Sequence, residues 1–211
     1  MQSSWERNRR VIVVSFVLEA MAFKLVSPFI PLYMPQLGVT DPSAVPLWAG
    51  AILGVTSLGV AGLLPLWNRL ARRTGRKAQV MRALAGCAIG LALSGLARTA
   101  LQLFLAFAVE GMMAGFYPQI WTLASTGAPP GGVAEALGLL QGVGLMVDAV
   151  GPFVGGLLGE LVGFNPGYWI GAGFCAAAFL LGKTAADGGS PVGDGHPQGC
   201  RSAATSTRPS D

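Results

Sequence analysis

The chain of 211 residues reads as an all-α membrane protein with six transmembrane helices. Three observations predict that class. Hydrophobic residues make up 52% of the chain and charged residues only 11%, with a mean hydropathy of +0.56. A soluble domain carries about 25% charged residues. Apolar stretches recur at lengths that reach the ~20 residues needed to cross a hydrocarbon core. The basic residues gather in alternate connections, which is how Lys and Arg set the topology of a multi-pass protein.

Taken in order, residues 1–10 carry Arg7, Arg9 and Arg10 and are expected at the cytoplasmic face. The first span is predicted over Val11–Tyr33 and leads into GVTDPSAVP, whose one charge is Asp41. The second span, Leu47–Trp67, runs into the turn LPLWNRLARRTGRK, where Arg69, Arg72, Arg73, Arg76 and Lys77 cluster and Arg82 follows. The third span, Ala78–Ala97, closes on a tight turn around Arg98. The fourth, Leu101–Leu123, meets the neutral connection STGAPPGG. The fifth, Glu135–Leu158, is followed by a connection holding only Glu160, and the sixth, Phe164–Gly182, ends at Lys183. The Lys and Arg distribution puts the N-terminus, the second connection and the C-terminus in the cytoplasm, as an even number of crossings requires. Residues 11–182 form the membrane domain. Residues 183–211 are Gly, Pro, Ser and Thr rich, bury too little apolar surface to order themselves, and are expected to be a disordered tail. Trp48, Trp67 and Trp169 near span ends read as interfacial anchors. Small-xxx-small pairs, Gly50–Gly54, Gly86–Gly90, Gly111–Gly115, Gly138–Gly142 and Gly151–Gly155–Gly159, are packing signals that let helix backbones approach.

The same features exclude several functions. The net charge of +4 arises at the N-terminus and the basic turn, so it reports topology and membrane lipid contact, not nucleic-acid binding. Cys87, Cys175 and Cys200 show no metal-ligand or redox spacing and read as unpaired. The single histidine, His196, lies in the tail, so an intramembrane Ser–His enzyme is excluded, and no phosphate-binding loop is present. Neither a metal nor a cofactor is expected. The apolar run after Arg10 is too long for a signal-peptide core and has no small-residue cleavage site after it.

Glu19, Lys24, Glu110 and Asp148 fall well inside predicted spans. A charge at a helix centre costs about 2.5–3.5 kcal/mol on insertion scales, so such residues are functional candidates facing a cavity or a partner. Glu19 and Lys24 are five residues apart and point away from each other on a helix. Lys24 is therefore expected to reach another helix, with Glu110 as first choice. Tyr117 and Trp121 follow Glu110 at helical spacing and give that wall an aromatic face. Two readings of the carboxylates stay open: a proton- or cation-binding site, or a buried ion pair that sets helix register. Asp148 shares a face with Gly151, Pro152 and Gly155 and reads as part of a packing or interface surface.

The segment FKLVSPFIPLYMPQLGV, the turn with Arg73, Gly75, Arg76 and Lys77, and the fifth-span series Gly138, Val147, Gly151, Pro152, Gly155 and Gly156 together resemble the N-terminal half of a major facilitator superfamily (MFS) drug transporter. The resemblance covers roughly residues 8–182. The turn matches the family's motif A, a gating turn, and the fifth-span series matches the antiporter motif C. Gly75 suits a positive-φ junction between two helix ends, and the basic residues hold the turn at the headgroups. Departures are specific. Arg72 stands where motif A has Asp, and Asn68 where its first Gly is usual. Val147 replaces a motif C glycine, and Phe107 stands where a fourth-helix Arg is common. In such folds the first and fourth helices line the central cavity, so the resemblance places Glu19, Lys24 and Glu110 near it, and Tyr117 is a further substrate or proton candidate on the same span. It implies efflux of small drug-like molecules by proton antiport across the cell membrane of a bacterium, with no enzymatic activity. It also implies a missing partner, either a second half-transporter or a second copy in a homodimer. The alternative is a truncated or inactive bundle that has lost transport, which Arg72 and Phe107 favour.

Overall fold

The computed structural model describes residues 2–184 apart from residues 114 and 130. The expected tail beyond Thr184, with His196 and Cys200, lies outside the described residues. Eight helices, with no strand among the described residues, follow in order: α1 Gln2–Lys24, α2 Ile30–Tyr33, α3 Ala44–Thr74, α4 Arg76–Gly95, α5 Ala100–Met113, α6 Phe116–Gly127, α7 Val133–Val162 and α8 Asn165–Thr184. Five stretches are long and apolar enough to cross a membrane: Asn8–Leu37, Ala44–Thr74, Arg76–Gly95, Ala100–Gly127 and Val133–Val162. The expected sixth, α8, has the length, but its polar start at Asn165 and Lys183 near its end dilute its hydropathy. It completes the bundle by packing, with Tyr168, Ala172, Cys175 and Ala178 buried against α1 and α4.

Two expected continuous spans are broken. The first stops at Lys24, and Pro28, Pro31 and Pro35 then permit only short helical pieces, Ser27–Phe29, α2 and Met34–Leu37. Each proline lacks an N–H and blocks the preceding turn. The fourth breaks at Gly115, which takes φ 102°. Pro118 falls in the first turn of α6, where a missing N–H costs nothing. The second and fifth spans are longer than expected, at 31 and 30 residues. Thr99 caps α5 by accepting from the Gln102 N–H at 3.2 Å, while Gln102 Oε1 accepts from the Arg98 N–H at 2.8 Å.

The helices pack in the sequence α3, α5, α4, α8, α1, α7, with α6 against α4 and α7. Exchanging the first three spans with the last three reverses this order and leaves every neighbour relation intact. The symmetry extends to backbone detail. Gly75 joins α3 to α4 at φ 86° and ψ 150°, and Gly163 follows α7 at φ 85° and ψ 169°. At the N-terminal face, Arg9 pairs with Glu135 at 2.8 Å, tying α1 to the start of α7.

The interior divides into two apolar clusters. One holds Ala22, Leu25, Ile30, Leu91, Phe107 and Tyr168, and the other Phe16, Leu84, Phe116, Ile120, Leu140 and Ala178. Glycine contacts are selective. Gly59, Gly86, Gly90, Gly111, Gly151, Gly155 and Gly159 abut atoms of neighbouring segments, whereas Gly50, Gly54, Gly138 and Gly142 face open space. A Cβ on Gly111 would stand 2.5 Å from the Thr56 carbonyl oxygen, backbone that cannot swing aside. Gly111→Val is therefore expected to destabilise by about 1–3 kcal/mol, read by thermal unfolding in detergent. Gly138→Val, on open surface, serves as the comparison; equal losses at both positions would contradict the packing described.

Candidate functional site

Among the described residues, Glu19 of α1 and Glu110 of α5 are the two buried acids, at 6% and 3% exposure. Both lie at the seam between the two apolar clusters. Glu19 falls between Phe16 of one and Ala22 of the other, and Glu110 between Phe107 and Phe116. Glu110 reaches this depth because Gly90 of α4 has no side chain where the Glu110 Cβ packs. Glu19 Oε1 accepts from the Cys87 thiol at 3.9 Å, a weak bond. Oε2 of each glutamate is buried without a hydrogen-bond partner among the described residues.

Lys24 does not reach Glu110. Its Nζ lies 2.9 Å from Asp148 Oδ1 on α7. The cause is helix packing: the Lys24 Cβ sits over Gly151, one turn from Asp148, while Glu110 packs against Gly90 of α4. Gly151 and Gly155 of the expected packing face meet the first span, and Asp148 stands exposed at its edge, held by Lys24. Gly155 meets the Leu25 carbonyl and the Phe29 ring, and Gly156 meets Phe29. Of the motif C positions, Gly151 and Gly155 are buried, Pro152 and Gly156 are partly covered, and Gly138 is open.

Tyr117 and Trp121 share a wall as expected, but on α6, beyond the break that separates them from Glu110. With Phe16 and Ala20 of α1 and Leu140, Gln141, Gly144 and Asp148 of α7 they line a cleft of about 180 Å³. The Phe16 and Tyr117 rings meet edge to face at 5.5 Å. An aromatic wall with a few convergent polar groups is the usual make-up of a small-molecule pocket.

In the basic turn, Arg72 and Arg73 close α3, Gly75 makes the positive-φ junction, and Arg76 and Lys77 open α4. Arg72, Arg73 and Arg76 are exposed. Gln79 Nε2 donates to Thr74 Oγ1 at 2.8 Å across the junction. No group of three or more His, Cys, Asp or Glu side chains that could hold a metal occurs among the described residues. On the opposite connection the Asp41 carboxylate, accepting from the Ser43 N–H at 2.9 Å and the Ser43 hydroxyl at 2.8 Å, is held below the usual carboxylate range.

Sequence reasoning missed one pair. Trp67, read as an interfacial anchor, turns inward, and Arg82, read as a topology charge, is half-buried with its guanidinium 3.5 Å from the Trp67 ring centroid. The available signal was position: Arg82 falls a turn inside the predicted third span.

The bundle thus combines an internal two-fold packing symmetry with buried carboxylates on its first and fourth spans. The Major Facilitator Superfamily model matches residues 12–197, and the chain belongs to that superfamily. Within it, the chain is 39% identical over 178 residues to multidrug resistance protein MdtG of Citrobacter koseri, covering 84% of this chain and 44% of that protein. It is 38% identical over 178 residues to MdtG of Salmonella arizonae, with the same coverage of 84% and 44%. The chain thus spans about half the length of the curated relatives it matches. The structure of the human organic anion transporter MFSD10 superposes with a TM-score of 0.70 at 16% identity, over 84% of this chain and 46% of that one. At that identity the likeness concerns the fold alone.

Proposed function

We propose that this bundle serves proton-coupled efflux of small drug-like molecules across a bacterial cell membrane, with both termini in the cytoplasm. One observation carries the reading: two carboxyl groups buried at the centre of the bundle, each with an oxygen that no partner satisfies. An ionised carboxylate in that setting is costly, whereas a carboxylic acid is not, so the pair is suited to hold and release a proton. The cleft beside it, walled by Phe16, Tyr117 and Trp121, supplies an apolar surface for a flat molecule, with Asp148 and Lys24 at its edge. Relatives named for multidrug resistance support the same reading. Transport by alternating access needs a second six-helix body facing the cleft, either a second half or a second copy. The open glycines of α3 and α7 leave surface for it.

A bundle that has lost transport is the second reading, and Arg72 favours it. An exposed cation in the last turn of α3 stands where motif A carries an acid. Drug accumulation in cells expressing the chain, with and without a proton uncoupler, separates the two. Efflux predicts accumulation reduced by about threefold or more, restored by the uncoupler, because roughly 0.7 kcal/mol of driving force already gives that ratio. Unchanged accumulation for every compound tried supports the second reading.

A further inference from the structure

Helix α5 ends at Met113, midway along the apolar stretch Ala100–Gly127, and the last carbonyls of any helix lack intrahelical partners. Two side chains from other helices reach them. Trp67 Nε1 of α3 donates to the Met112 carbonyl at 3.1 Å, and Arg82 Nη1 of α4 donates to the Met113 carbonyl at 2.7 Å. The guanidinium lies flush on the indole at 3.5 Å, so the two donors form one cation–π unit. Arg82 Nε also donates to Gln79 Oε1 at 2.9 Å. A cation suits this place because a helix C-terminus carries about half a negative charge. Further up α5, Thr56 Oγ1 of α3 donates to the Phe107 carbonyl at 3.2 Å. Gly59, Gly86 and Gly90 let α3 and α4 close on the turn that contains Glu110. Beyond the break, Gln119 Nε2 of α6 donates to Asn68 Oδ1 at 3.0 Å. Neighbouring residues of α3, Trp67 and Asn68, therefore hold opposite sides of the same break.

We propose that Arg82 and Trp67 are positioning residues, which clamp the end of α5, fix its angle to α6 and thereby set where Glu110 stands relative to the cleft wall of Tyr117 and Trp121. They touch no substrate; they act through Glu110. The role in transport rests on the proposed proton-carrying function of Glu110, but the clamp is measurable without it. Because Trp67 and Arg82 flank the basic turn on α3 and α4, the clamp also ties the state of that turn to the fourth span.

Distance measurement by double electron–electron resonance tests this on the full chain in liposomes. Cys87, Cys175 and Cys200 are replaced by Ser, and spin labels are placed at Leu105→Cys on α5 and Thr126→Cys on α6, both exposed. The expected result is a narrow distribution with Arg82 and Trp67 intact. It should broaden about twofold in Arg82→Ala and Trp67→Phe, with Arg82→Lys intermediate because it keeps a donor but loses the planar stack. A control pair, Ile89→Cys on α4 and Leu180→Cys on α8, should not change. Glu110→Gln should shift the α5–α6 distance only while the clamp is intact. An unchanged α5–α6 width in both variants, equal broadening of the control pair, or a Glu110→Gln shift that persists in Arg82→Ala would each overturn the proposal. Drug-dependent proton flux in the same liposomes is read separately. Its absence in the intact protein sinks the transport reading and leaves the distance result to decide the clamp.

Discussion

Glu110→Gln is expected to abolish uncoupler-sensitive drug efflux while leaving the fold as stable as before, or slightly more so. The side chain is isosteric, and the structure gives Oε2 no partner to lose. Removing a buried polar group's partner usually costs stability, and here that penalty is already present in the native protein. Thermal unfolding in detergent should therefore move by less than about 0.5 kcal/mol, or upward. Efflux should fall about tenfold or more, because Gln cannot take up and give back a proton. A Glu110→Gln protein that still lowers drug accumulation as the intact chain does would place coupling elsewhere, with Glu19 the next group to test. A protein that loses about 3 kcal/mol instead would show that the carboxylate is a structural ion-pair member with a partner the bundle conceals.

Lys24→Ala and Asp148→Ala form the second test. Their ion pair at 2.9 Å joins α1 to α7 at the edge of the cleft, with side chains 33% and 53% exposed. A fully exposed pair contributes about 0.2–1 kcal/mol, and breaking a fully buried one costs about 3–5 kcal/mol. Each single variant is expected between these limits, with a loss of about 1–2 kcal/mol, and the charge-reversed double variant Lys24→Asp/Asp148→Lys should recover most of it. The measurement is a double-mutant cycle on thermal unfolding, paired with drug accumulation. Strict additivity of the two alanine variants would mean the contact carries no coupling.

The fold was legible in the sequence because it rests on length and hydropathy, each of which sums over many residues. Gly75 was legible for a sharper reason: a glycine between two helix-forming runs has few other uses. The partner of Lys24 was not legible. Helical spacing shows which side a residue faces on its own helix, and the choice between Asp148 and Glu110 depends on the contact between Gly151 and the Lys24 Cβ, a fact of packing between distant segments. The break at Gly115 escaped for a related reason. Glycine is common in this chain, and what marks Gly115 is its positive φ and the contacts of Trp67 and Arg82 to the carbonyls just before it, both facts of the folded bundle. The depth of Glu19 and Glu110 was expected from their position in apolar runs, but their place at the seam of two clusters needed the whole bundle.

The short joints between α3 and α4 and after α7 have a mechanical consequence. A joint that short behaves as a fulcrum. Helix ends that meet at Gly75 must travel together, and displacement grows with distance along each arm. At ~1.5 Å per residue, α3 is a lever of roughly 46 Å and α4 one of roughly 30 Å, so a tilt of about 5° at the joint moves the far end of α3 by about 4 Å. After α7 the joint has two residues, Gly163 and Phe164, with Gly163 at φ 85° and ψ 169°, and it makes a second fulcrum. After an odd number of further crossings it stands on the other face of the membrane. The bundle thus holds two long levers, α3 and α7, pinned at opposite faces, and each swings widest where the other is fixed.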